Sequence, residues 1–248
     1  MINQLSPSLP EDIWKEIISF SKDSLTLMSC VDIQLNKLIE DYVKKNPLQG
    51  LFGEKEWKYF NGDPGIVSPI PLKMYQDFDA SKYMLTFIPE TINGETLTLT
   101  CIDKFIKKYN NTDESNYRYP LSNYFISDET VSKFKAHWVM LSKDVLDGTR
   151  NKTFEIQKKL VEEKEFEIPN LIDTVVSLLM HKMKTGEFIY PDDSNGHQYT
   201  VTRVQEKNNR GYRIIVGGFS ALGLRVDYHG DYDSGNFGAA CARKSIGT

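Results

Sequence analysis

Apolar residues at the start of the chain recur at helical spacing. Ile13, Ile17 and Phe20 fall at i, i+4 and i+7 on one face, while Trp14 and Ile18 form a second stripe one position round. Ser8 and Glu11 have the spacing of a capping box, and Pro10 in the first turn costs no intrahelical hydrogen bond, so a helix is expected from Pro10 to Phe20. Leu27, Val31, Leu35, Leu38 and Tyr42 continue the pattern, with Lys44 and Lys45 closing a further helix at its negative end. Two apolar stripes on one short helix need two partners.

The pattern then breaks. Residues 47–80 carry Pro47, Gly50, Gly53, Gly62, Pro64, Gly65, Pro69 and Pro71, which argue against regular structure running through. Phe52, Trp57, Tyr59 and Phe60 make this a connector that packs down, between a helical module at 1–46 and a larger α+β domain at 81–248. Within that domain, "KYMLTFIPETINGETLTLT" reads as two extended runs around Asn93-Gly94, a dipeptide suited to positive φ in a tight hairpin. Thr100 is placed to cap a helix over Cys101–Tyr109, and "HWVMLSKDV" reads as a further strand. Phe154, Leu160 and Val161 face inward from a solvent-facing helix. "PNLIDTVVSLLMHKMKTG" has Asn170 as cap, Asp173 in its first turn, lysines in its last and Gly186 just beyond, with apolar residues most of the way round, so it belongs in a core. The final third, from "EFIYPDD" and "QYTVTRVQE" through "GYRIIVGGF" and "GLRVDYH" to "NFGAACARK", reads as short strands of an antiparallel or mixed sheet.

Composition narrows the function classes. Hydrophobic residues make up 40% and charged residues 26% of the 248, a globular balance. A net charge of −4 offers no general attraction to nucleic acid or anionic lipid. Cys30, Cys101 and Cys241 are odd in number and lack close spacing, which fits free thiols in an intracellular, reducing compartment. No stretch has the form of a secretion signal or a membrane span, Asp173 and His181 interrupting the most apolar one.

The N-terminal pattern resembles the F-box motif. Leu9-Pro10-Glu11, Ile13 and Ile17-Ile18, then Leu25, Leu27, Val31 and Leu38, match its apolar spacing across residues 8–45, while Asp32 and Leu35 depart from the Cys and Trp usual in the second helix. Farther on, "HWVMLSKDVLDGTRNK", "YTVTRVQE", "IIVGGFS" and "NFGAACARK" are similar to segments of F-box-containing proteins of obligate intracellular bacteria. The resemblance implies a non-enzymatic adaptor, with Leu9, Pro10, Ile13, Ile17, Leu25, Val31 and Leu38 docking on the Skp-type linker subunit of a cullin-RING ubiquitin ligase and the larger domain recruiting a client protein for ubiquitination. The strand-rich end also looks like the C-type-lectin-like fold, which implies an alternative: a ligand- or carbohydrate-binding domain whose N-terminal helices are part of its own fold.

Other chemistry has thinner support. His137, His181, His197 and His229 lack zinc-site spacing, and no metal or cofactor is expected. Asp227, Asp231 and Asp233, and Asp192, Asp193 and Asn195, read as turn formers rather than calcium loops. Cys101 or Cys30 with His137 and Asp144 gives the letters of a nucleophilic triad without its motif. Arg203, Lys207, Arg210 and Arg213 beside Tyr199 and Tyr212 form a basic cluster, expected on a solvated hairpin face.

Overall fold

A computed structural model describes residues 50–118, 126–128, 134–192, 199–230 and 235–245. Leu9, Pro10, Ile13, Ile17, Leu25, Val31 and Leu38, expected from the sequence to dock on a partner, lie outside them. The described residues form a mixed α+β fold. In chain order its elements are β1 (Leu51–Phe52), α1 (Glu54–Tyr59), α2 (Leu72–Asp77), β2 (Tyr83–Ile88), β3 (Thr91–Ile92), β4 (Glu95–Thr96) and α3 (Leu99–Asn110). Then follow β5 (His137–Val145), α4 (Phe154–Glu162), α5 (Leu171–Thr185), β6 (Val201–Lys207), β7 (Arg213–Ser220), β8 (Gly223–His229), β9 (Phe237–Gly238) and β10 (Ala240–Lys244).

The first sheet has the order β1-β2-β5-β10, parallel only at β1–β2. Its central pairing sets Leu85 opposite Met140 and Phe87 opposite Trp138, all fully or almost fully buried. The second sheet has the order β8-β7-β6-β9, an antiparallel meander with β9 added parallel to β6. Helix α5 packs against strands of both sheets. Every residue from Leu171 to His181 is therefore buried, which explains an apolar pattern that runs around the helix.

The breaker-rich segment is more regular than its composition suggests. Short helices α1 and α2 fit between its prolines and glycines, and the Gly53 amide donates to Glu56 Oε2 at 2.9 Å at the start of α1. Trp57, buried in the main core, donates its indole N–H to the Phe87 carbonyl at 3.0 Å, tying α1 to β2. The β3–β4 hairpin turns at Asn93 and Gly94, with φ of 53° and 81°.

Three local expectations change. The cap of α3 is Thr98, whose hydroxyl accepts from the Cys101 amide at 3.1 Å, while the Thr100 amide donates to Asp128. On α4, Phe154 and Val161 are buried, but Gln157 takes the inward place given to Leu160 because it bonds the carbonyls of Thr149 and Phe237. "EFIYPDD" is not a strand: Tyr190 takes a φ of 53°, and Pro191 and Asp192 make isolated bridges.

The chain passes from one sheet to the other through a single residue, Ala239, between β9 and β10. Backbone groups at this crossing are satisfied by side chains. Thr149 Oγ1 accepts from the Ala239 amide at 3.0 Å, and Thr202 Oγ1 accepts from the Ala240 amide at 2.8 Å. Gly238 lies so close to Val145 that a Cβ there would come within 2.5 Å of it.

Candidate functional site

Ionisable side chains converge where the first turn of α5 meets both sheets. The α5 backbone brings Asp173, 0% exposed, to the end of the first sheet, where β5 begins with His137 and β10 ends with Lys244. His137 Nε2 is 3.1 Å from Asp173 Oδ1, and Lys244 Nζ is 2.8 Å from Oδ2. The other imidazole nitrogen, Nδ1, lies 2.7 Å from the Lys135 carbonyl. A carbonyl and a carboxylate only accept, so the arrangement favours the doubly protonated, imidazolium form of His137. Burial alone would depress its pKa, but the hydrogen bond and charge of Asp173, with the Lys135 carbonyl, outweigh it and raise the pKa.

The second sheet adds Glu206, from β6. Its Oε2 accepts from the Leu171 amide at 2.8 Å, supplying the α5 cap that the Asn170 side chain does not make. Burial pushes the Glu206 carboxyl up to about 7, aided by Asp173 and opposed by the Leu171 amide, its own amide and Lys244. Glu167, which bridges to β10 through Ala242, is likewise raised, first by burial and then by Asp173, against Lys244, Gln205 and His137. Three carboxyl groups thus face one lysine and one histidine. The group can hold a proton and tie three elements together, but His137 has no free nitrogen with which to take a proton from a substrate.

The letters of a nucleophilic triad noted in the sequence are not brought together among the described residues. His137 is engaged by Asp173, and Asp144 Oδ1 accepts from the Val145 amide. Cys101 and Cys241 are buried free thiols, with burial raising both and taking Cys241 to about 11, away from the reactive thiolate. Cys30 and His197 lie outside the described residues.

The basic cluster is a correction. Arg203 is 0% exposed, donating at 2.8 Å to both the Lys152 carbonyl and Gln157 Oε1 and lying over the Phe237 ring. The Arg213 guanidinium covers the Phe154 ring at 3.6 Å, so it packs β7 against α4. The cluster is therefore divided, with Arg203 and Arg213 engaged by α4 side chains while Lys207 and Arg210 are exposed. Tyr212 is half-exposed and stacks on Tyr228. Asp227 pairs with Arg225 at 2.7 Å and Asp192 pairs with Arg118, whereas Asp193, Asn195, Asp231 and Asp233 are outside the described residues.

Among the described residues, no group of three or more His, Cys, Asp and Glu is arranged to hold a metal ion, and no helix is long and apolar enough to cross a membrane. The ionic group at α5 was not anticipated from the sequence. Its one signal is Asp173, a lone carboxylate inside an otherwise apolar helix, which in a core demands a cationic partner. Comparison of the chain with protein-family models, with curated proteins and with solved structures found no match.

Proposed function

We propose that this chain is a non-enzymatic adaptor of F-box type. Residues 9–38 dock on the Skp-type linker subunit of a cullin-RING ubiquitin ligase, and the α+β domain recruits a client protein. The observation that carries the reading is the double apolar spacing in the sequence, Leu9-Pro10, Ile13 and Ile17 followed by Leu25, Val31 and Leu38. Such a pair of helices can pack one stripe on its own chain and offer the other to a groove. The domain that follows suits a presenting role. Its buried charges are spent on internal cross-links, and exposed apolar side chains such as Ile66 and Leu222 stand at turns, available to a client.

The test is a pull-down of the full chain on a purified Skp-type subunit, with far-UV circular dichroism as the control for folding. Wild type is expected to be retained, and the Ile13→Ala/Ile17→Ala variant to be lost from the resin with its spectrum unchanged. Failure of wild type to bind, or equal retention of a folded variant, removes the docking claim. A second reading, a ligand- or carbohydrate-binding domain, draws on the stacked Tyr212 and Tyr228, since a half-exposed aromatic ring is a surface on which a sugar can stack.

A further inference from the structure

We infer that His137 is a proton-operated bolt, fastening the first turn of α5 to the start of β5 when protonated and releasing that turn when it loses its proton. The geometry requires it. The neutral ring has one N–H, and the shorter of its two contacts, 2.7 Å to the Lys135 carbonyl, retains it. Nε2 then turns a lone pair toward Asp173 Oδ1 at 3.1 Å, so an attraction across the β5–α5 junction becomes a repulsion. Asp173 is left with Lys244 as its remaining ionic partner at this junction.

The surrounding charges act in the same direction. Facing His137 and its partner are Lys244 from β10, Glu167 from the segment before α5, and Glu206 from β6, while the Phe134 ring closes the remaining side edge-on at 5.9 Å. As pH rises, Glu206 also loses its proton beside Asp173, adding a negative charge at the same helix turn. Proton loss at His137 therefore loosens the α5 start, whereas at Glu206 the added repulsion with Asp173 is opposed by a stronger bond from the Leu171 amide. The middle of the helix, buried from Val175 to Met180 among apolar side chains, has no reason to respond. The result is a local opening of the kind that amide exchange resolves, confined to one turn.

The experiment uses the full chain in two measurements. Ring nitrogen chemical shifts of His137 should show two N–H groups at pH 7, and a ring already neutral at pH 6 overturns the inference. Amide hydrogen exchange, corrected for intrinsic rates, should show protection of Leu171 and Thr174 falling about tenfold between pH 5.5 and 8 while that of Leu179 stays constant. In His137→Gln, which cannot change its protonation, the fall at Thr174 should shrink at least threefold. A fall as large as in wild type would assign the effect to Glu206 alone and overturn the bolt. Should the variant fail to fold, the ring shifts of wild type still decide.

Discussion

Arg203 and His137 are both buried cations that join a strand to a helical segment, yet the two fastenings respond differently to their surroundings. The Arg203 guanidinium is permanently charged and donates to two neutral oxygens, the Lys152 carbonyl and the Gln157 amide, so it neither gains nor loses a proton itself, although its charge helps to lower the pKa of His229. His137 is a cation only because of Asp173 and the Lys135 carbonyl, and it sits among carboxyl groups whose burial raises them toward neutrality. One junction is thus held by a cation that does not itself titrate, the other by one that does. Rigidity and responsiveness occupy separate places in the same core.

The largest expected effect breaks the first fastening. Arg203→Met leaves the Lys152 carbonyl and the Gln157 side chain without this donor and should cost about 3–5 kcal/mol, measured by urea denaturation, with the same loss at pH 7 and 8, above the range in which the neighbouring His229 titrates. A loss that differs between the two pH values would erase the contrast between the sites.

Next in size is Glu206→Gln, which keeps an oxygen for the Leu171 amide but removes the titration. The folded-state pKa of Glu206, about 7, lies above its unfolded value of 4.5. Its contribution to stability is therefore complete below pH 4.5 and disappears as pH rises through about 7. His137, also raised, contributes in the same sense from its ordinary 6.5 upward, whereas His181 and His229, lowered mainly by burial, run the other way and cost stability as pH falls below 6.5. The variant should be more stable than wild type at pH 8 by about 2 kcal/mol and indistinguishable near pH 4.5, in a series of urea titrations. The smallest effect calibrates both. Thr98→Ala removes the cap of α3, far from either cation, and should lower stability by about 1 kcal/mol at every pH, seen as a uniform shift in thermal midpoint.

How much of this was legible depends on whether the cause is local. The β5 strand, the turn at Asn93-Gly94 and the C-terminal end of α5 follow from a short apolar run, left-handed turn residues and a terminal glycine, signals held within a few positions. The α3 cap was misplaced from Thr98 to Thr100 because two threonines compete and the choice is made by Asp128, which takes the Thr100 amide. Helices α1 and α2 were hidden because one turn fits between breakers when Trp57 or Tyr75 can be buried by residues far along the chain. The same limit hid the ionic site. Asp173 stands out in a sequence, but nothing local says that residues 137, 206 and 244 will surround it. Arg203 looked like a surface charge because Gln157, its partner, belongs to a different element.

The crossing at Ala239 has a consequence for how the protein is made. Among the described residues, Phe237–Gly238 and Ala240–Lys244 form the outermost strands of two different sheets, so β6 and β5 each lack a partner on one side until the same short stretch emerges from the ribosome. During synthesis one segment therefore covers both of these strands at once. A stalled or truncated product lacking residues 237–244 would present sticky edges on either side, making this stretch the one whose loss most directly invites aggregation and capture by chaperones.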